Sequence, residues 1–325
     1  MDSLEFHPPE ELAKSLRELE HATGAEIYFF SGVIRDRVLQ REARDIDLLY
    51  FGDLGRLRSA IEGGESLVPH LGTVAQHDSY NVLVETSGAF KQRLDFIDAR
   101  SFLSRYGILC QSATAQGEST SRSVGQAVNC SDFTINGAAL SVRSGHHLVT
   151  HPLWESDLRS RIIRPSFPTS LELPFWPGLK ALVLTLELGG SLAKESFAAL
   201  AEYSDKARWR NISPDRLYDQ LIRLFSAARP AQVAALLAET RLLEALFPGT
   251  ALGAKELAVL ESLELMKNLP GLGIDGRAPW FIAAYLSSAN FASLSAHPLL
   301  MTLTPEQSQS FQILAKALPE ILRGK

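Results

Sequence analysis

The chain has 325 residues, 46% hydrophobic and 21% charged, which is the length and composition of two ordinary globular domains. Its formal net charge of −5 excludes a broad nonspecific nucleic-acid footprint, which needs clustered Lys and Arg, while leaving room for a local basic cleft. No basic n-region followed by an apolar run, and no stretch of bilayer-spanning length, is found, so no membrane association and a cytoplasmic location are expected.

Up to about residue 165, short β-rich runs alternate with short helical patterns, separated by glycines and polar turns. "EIYFF" reads as a strand, Ser31-Gly32 as a tight turn, and Val33 to Leu39 as a helical segment. "RDIDLLYF", "YNVLVET", "QRLDFIDA" and "HLVTHPL" read as further strands, with Gly63-Gly64 a turn between a helical pattern and a strand. "LCQSATAQGESTSRSVGQ" is small, polar and without periodicity, and is expected to be a loop. A Pro-rich passage, "RPSFPTSLELPFWPG", then leads into helices. Ser213 and Pro214 mark the N-cap and first position of "ISPDRLYDQLIRLF"; Thr304, Pro305 and a capping-box Gln307 do the same for "TPEQSQSFQILAKAL". "PAQVAALLAETRLLEALFPG" has apolar residues at helical spacing and is expected to run to Pro248-Gly249. The expected organisation is α+β: a mixed-sheet head over residues 1–165 and an all-helical body over 166–325.

Asp45 and Asp47 sit two apart in a strand and therefore share a face, with Ile46 on the other. Two carboxylates on one face repel and are desolvated unless a divalent cation bridges them. Mg²⁺ takes one or two carboxylates plus phosphate oxygens, and two such ions can clamp an in-line phosphoryl transfer. The Ser31-Gly32 turn offers backbone N–H groups for a triphosphate, and "QRLDFIDAR" supplies a third acid in Asp95, with Asp98 as a competitor on the opposite strand face. Asp-x-Asp alone favours a solvated strand end. The ordered set of strand, Ser-Gly, Arg-Asp helix, Asp-x-Asp strand and acidic strand favours a site.

These residues carry a resemblance. "FFSGVIRDRVLQREARDIDLLYF" resembles the G-G-x-V-R-D-x-L-L-x(n)-D-x-D head signature of the class II tRNA nucleotidyltransferase and bacterial poly(A) polymerase family. "CSDFTINGAAL" resembles its R-R-D-F-T-I-N-A block, "HPLWESDLRSRIIRP" its D-P-x-G-G-x-x-D-L-x-x-x-x-I-R segment, and residues 212–248 its helical body. The resemblance implies a polymerase-beta-like nucleotidyltransferase head before an RNA-binding helical neck and body. It implies a two-metal Mg²⁺ site on Asp45, Asp47 and Asp95, all three catalytic. It implies an NTP (ATP or CTP) held by Ser31, Gly32, Arg35, Asp36, Arg100, Asp132 and Asn136, with an RNA 3′ end, tRNA-like, as acceptor. Ser31 replaces the family's first glycine. Cys130 and Ser131 replace its arginine pair, and "LELPFWPGLKALVLTLELGG", with Lys180 alone basic, replaces the E-D-x-x-R element that reads the incoming base.

Other features read more plainly. Cys110 and Cys130 fit neither a zinc spacing nor a disulfide framework and are expected to be thiols, Cys130 standing where an arginine is lost. His146, His147 and His151 suit a polar hairpin rather than a zinc site, and His77-Asp78 carries no chemistry. "KARWR" is expected to be a solvated helix end, with RNA-backbone contact as the alternative. Three activities are consistent with the residues: nucleotidyl transfer to RNA with release of pyrophosphate, nucleotide or RNA binding without turnover, and transfer to a non-RNA acceptor.

Overall fold

The computed structural model describes residues 10–63, 71, 73–77, 80–86, 93–106, 120–167, 177–205, 214–246 and 253. The chain divides into two compact units. One comprises residues 1–160 and 164–170, the other residues 161–163 and 171–325.

The first unit is built on a seven-stranded mixed sheet. Helix α1 (Glu10–Thr23) leads into β1 (Glu26–Phe30), α2 (Gly32–Val38), β2 (Asp45–Phe51) and α3 (Leu54–Glu62). The edge strand β3 (Thr73–His77) and its neighbour β4 (Asn81–Glu85) precede β5 (Arg93–Asp98), α4 (Ala99–Tyr106) and α5 (Thr120–Asn129). A 3₁₀ turn (Thr134–Asn136), β6 (Ala138–Ser141), β7 (Leu148–Thr150) and α6 (Trp154–Ser160) complete it. The strand order is β3-β4-β5-β2-β1-β6-β7, and β2 and β5 run parallel at its centre.

Both faces of the sheet carry buried apolar residues and are covered. Ile46, Leu48, Tyr50, Leu94 and Phe96 are buried on one face, where the Tyr50 hydroxyl meets Thr23 at the end of α1. Glu20 fastens that helix by accepting the Ile27 N–H at 2.7 Å, and burial pushes its carboxyl above the usual range. On the other face Phe102 of α4 meets Phe30 edge-to-face at 5.6 Å. Burial of Ala99, Phe102, Leu103 and Tyr106 leaves the remaining stripe of α4 facing outward.

The described residues of the second unit are mostly helical. A short parallel pair, β8 (Ile162–Ile163) with β9 (Ser191–Leu192), brackets α7 (Pro177–Leu188), and α8 (Lys194–Asp205), α9 (Pro214–Ala227), α10 (Pro230–Glu239) and α11 (Leu242–Leu246) follow. A bidentate pair, Arg223 Nη2 to Glu187 at 3.1 and 3.2 Å, joins α9 to α7.

Two expectations are corrected. The supposed loop over 109–126 is helical from Thr120 on, because Val124, Ala127 and Val128 recur at helical spacing and are fully buried. Burial overrides the poor helix propensity of its serines, threonine and glycine. The helix expected to start at Pro230 breaks at Arg241, whose φ of +60° is incompatible with a continuous helix. α9 does begin at Pro214, while Ser213, "KARWR", Pro248-Gly249 and the 304–318 helix lie outside the described residues.

Candidate active site

The register of β2 and β5 sets the electrostatics. Asp47 pairs with Asp95, and Asp45 pairs with Arg93, so all four side chains share one sheet face. Strands lie about 4.8 Å apart, so Asp47 and Asp95 are like charges side by side, whereas Asp45 has a cation as its register neighbour. Asp45 is exposed; Asp47 and Asp95 are half-buried. The Asn81 side-chain amide donates to Asp95 Oδ1 at 2.8 Å and fixes that carboxylate's orientation. Among the described residues no three His, Cys, Asp or Glu side chains are gathered closely enough to hold a metal by themselves. A carboxylate pair is instead the donor set that suits Mg²⁺ completed by phosphate oxygens. Asp98 is excluded as a competitor. It pairs with Tyr50 on the other face, and its Oδ2 accepts from both the N–H and the hydroxyl of Ser101.

Phe30 pairs with Asp47, which puts Ser31 at the same sheet edge as the acids. Ser31 has φ +63° and ψ −125°, a conformation that glycine adopts freely and serine does not. Ser31→Gly is expected to raise stability by about 1 kcal/mol, read as an increase in the urea midpoint without a change in slope. An unchanged midpoint would mean that the turn is unstrained.

Arg35 and Asp36 follow directly. The Arg35 guanidinium forks onto Asp36 through Nε and Nη2, both at 2.8 Å, and Nη1 donates to Asn136 Oδ1 at 2.6 Å. Asn136 Nδ2 in turn donates to Asp132 Oδ1 at 2.7 Å, and the Phe133 N–H donates to the same oxygen. The resemblance gives Arg35 a phosphate; the structure gives it a pre-organised link between α2 and the 132–136 block, at 7% exposure.

Sequence reasoning missed what holds that block. Buried Asp157 accepts from Thr134 Oγ1 at 2.8 Å and from Arg164 Nε at 2.9 Å, while Trp154 Nε1 donates to the Ile135 carbonyl. Both charged residues stood in the "HPLWESDLRSRIIRP" match, where the D-L-x-x-x-x-I-R spacing was the signal. Gly137 closes the block. A Cβ there would lie 2.7 Å from the His151 Cβ and 3.0 Å from the Val128 carbonyl.

His151 packs against this glycine, and His146 and His147 lie in the exposed β6–β7 hairpin, as the polar-hairpin reading expects. The His151 Nδ1 accepts the Leu153 N–H at 3.1 Å, and burial lowers its pKa. A depressed histidine contributes stability that is fully present above the unfolded value of about 6.5 and is lost as pH falls through the folded value. Thermal stability is therefore expected to decline on acidification from pH 7. His151→Asn, which keeps an acceptor but does not titrate, should flatten that slope. An unaltered slope in the variant would remove His151 from the account.

Cys130 corrects another expectation. Its sulfur is in a disulfide, and the chain's second cysteine, Cys110, lies outside the described residues. The pattern was illegible because a single pair has no spacing to recognise. The bond adjoins Ser131 and Asp132, so it anchors the block at the site of the replaced arginine. Reduction is expected to cost about 2–4 kcal/mol of stability, read as a lower melting temperature in dithiothreitol. Thiol titration of the unfolded, unreduced protein should find no free thiol; two would contradict the bond.

Arg100 is exposed at the start of α4 and does not join the Arg35 network. In the second unit, Lys180 lies on α7 among buried apolar neighbours. Glu187, an acid of the same helix, is bound to Arg223. Among the described residues, α7 therefore presents no acid–arginine pair for reading a base.

The comparisons with known proteins agree with this architecture. Residues 191–252 match a family model described as a probable RNA- and SrmB-binding site of polymerase A. No curated protein matches the chain by sequence. A solved tRNA-processing enzyme in an apo form is 20% identical with a TM-score of 0.74, over 97% of this chain and 81% of that one. The Thermotoga maritima CCA-adding enzyme in complex with tRNA is 17% identical with a TM-score of 0.73, over 98% and 72%. A CCA-adding enzyme in complex with CTP is 17% identical with a TM-score of 0.74 over the same shares. At these identities the likeness establishes the fold.

Proposed function

We propose that this chain, which has the nucleotidyltransferase fold of the CCA-adding enzymes and a segment matching a poly(A) polymerase model, is a metal-dependent nucleotidyltransferase. It would extend an RNA 3′ end from an NTP. The observation that carries the reading is the in-register pairing of Asp47 with Asp95, with Asp45 on the same face beside the Ser31-Gly32 turn. Side-by-side carboxylates are a donor set that a divalent cation and its phosphate ligands complete.

Asp47 and Asp95 would hold Mg²⁺, with Asp45 on the same face beside them; the ion when bound neutralises phosphate charge and acidifies the attacking hydroxyl. In the transfer the 3′ oxygen forms a bond to the α-phosphorus, the bond to the bridging oxygen breaks, and pyrophosphate leaves. Asp95, oriented by Asn81, is assigned the proton of the attacking hydroxyl. Asp132 and Asn136, held by Arg35 and the 3₁₀ turn, are assigned the ribose, and Ser31 and Gly32 the triphosphate. Without an acid–arginine reader on α7, selectivity among NTPs is expected to be weaker than, or different from, strict C-C-A addition. Residues 191–252 are assigned RNA contact. Disulfides are uncommon in reducing compartments, so the Cys130 bond counts against a cytoplasmic location.

The test is incubation with Mg²⁺, each labelled NTP in turn and a pool of RNA 3′ ends. Extension by one or more nucleotides with equimolar pyrophosphate is expected. No incorporation from any NTP by folded protein would overturn the reading in favour of a binding protein without turnover. The Arg35 fork, committed to Asp36 and Asn136 rather than to solvent, is the observation on that side. Incorporation only into protein or small-molecule acceptors would redirect the acceptor assignment.

A further inference from the structure

Beside Arg100, which the resemblance gives to the NTP, the outward stripe of α4 carries groups that the site above does not use. Arg100, Ser101, Ser104 and Arg105 line, together with Tyr80, an open pocket of about 520 Å³. Their positions form two adjacent i,i+4 columns, Arg100 with Ser104 and Ser101 with Arg105, opposite the buried stripe of the same helix. The Arg105 guanidinium stacks 4.6 Å above the Tyr80 ring. Tyr80 is itself fixed, because its carbonyl accepts the Asp98 N–H at 2.9 Å and its hydroxyl bonds to Tyr106.

Stacking restrains a guanidinium plane while leaving its edge donors available, and those donors in a planar fork suit phosphate oxygens. Among the described residues, neither Arg100 nor Arg105 is in an ion pair with an acid. Two guanidinium groups converging with the Ser104 hydroxyl in one concavity is the donor set of a phosphate subsite, the Ser101 hydroxyl being given to Asp98. The pocket also adjoins the acids, since Tyr80 precedes Asn81, which holds Asp95. This is the local basic cleft that the acidic net charge permits.

We propose that the α4 pocket is a phosphate subsite, with Arg105 pre-oriented by Tyr80 and Arg100 closing the other side. The natural sources are a backbone phosphate of a single-stranded RNA and the phosphates of an NTP. The choice of these sources rests on the nucleotidyltransferase reading; the phosphate chemistry does not.

The experiment compares the full chain with Arg100→Gln/Arg105→Gln and with Tyr80→Leu. Binding of a labelled single-stranded RNA oligonucleotide and of ATP is measured without divalent metal over a range of salt. For RNA, the double variant should bind at least tenfold more weakly, with a salt slope smaller by about 1.4, or 0.7 for each lost contact. Tyr80→Leu should weaken binding while leaving the slope unchanged. Weaker RNA binding alone identifies the strand as the source, and weaker ATP binding alone identifies the nucleotide. Unchanged affinity and slope for both ligands, in a double variant that melts like the parent, overturns the proposal. If the double variant fails to fold, Arg100→Gln, at an exposed position, carries the same test with half the slope change. Because turnover is not needed, lost binding in the variant beside absent incorporation by the parent would keep the subsite and remove the enzyme. Incorporation by the parent beside unchanged binding would do the reverse.

Discussion

Asp47→Asn is expected to lower nucleotide incorporation about a thousandfold. The direction follows from the register. Asp47 stands beside Asp95 on the parallel neighbour, so the change removes one of two hard donors for a divalent ion. A loss of about 4 kcal/mol of transition-state stabilisation corresponds to that factor. Asp98→Asn is the internal control. Asp98 bonds to Ser101 at the start of α4, so its substitution should cost about 1 kcal/mol of stability and leave incorporation within a few-fold. Equal activity losses at positions 47 and 98, or none at 47, would sink the assignment of the acidic pair.

Asp157→Ala is expected to destabilise the first unit by about 3 kcal/mol. Asp157 is 4% exposed and is the shared acceptor of Thr134 and Arg164. Its removal leaves a fully buried hydroxyl and a mostly buried guanidinium without that partner, which costs more than the bonds themselves contribute. Such a loss is a sizeable fraction of ordinary domain stability and should lower the melting temperature by roughly 6–12 °C. Asp157→Asn, which keeps an acceptor for Thr134, should lose about 1 kcal/mol. A fall within 0.5 kcal/mol for the alanine variant would show that the bridge does not anchor the 132–136 block.

Both predictions concern residues in quoted motifs, yet the sequence disclosed them unequally. The acids were legible because strand periodicity is two, so Asp45 and Asp47 had to share a face whatever their surroundings. That Asp95 rather than Asp98 joins them was open until the β2–β5 register paired it with Asp47. Asp157 gave no chemical signal of its own, because its role is a contact 23 residues away in sequence. Arg105 and Tyr80 were invisible for the same reason, being 25 positions apart and meeting only when α4 folds back over the sheet.

Local pattern alone therefore determined the strands around the turn, the shared face of the first two acids, the helical start at Pro214 and the resemblance to a nucleotidyltransferase head. These depend on residue spacing and on backbone preferences that act within a few positions. Tertiary structure decided the partner of Asp47, the commitment of Arg35 to Asp36 and Asn136, the Cys130 disulfide and the helix from Thr120 to Asn129. Each of these is set by burial and by groups distant along the chain, whose proximity no local period encodes.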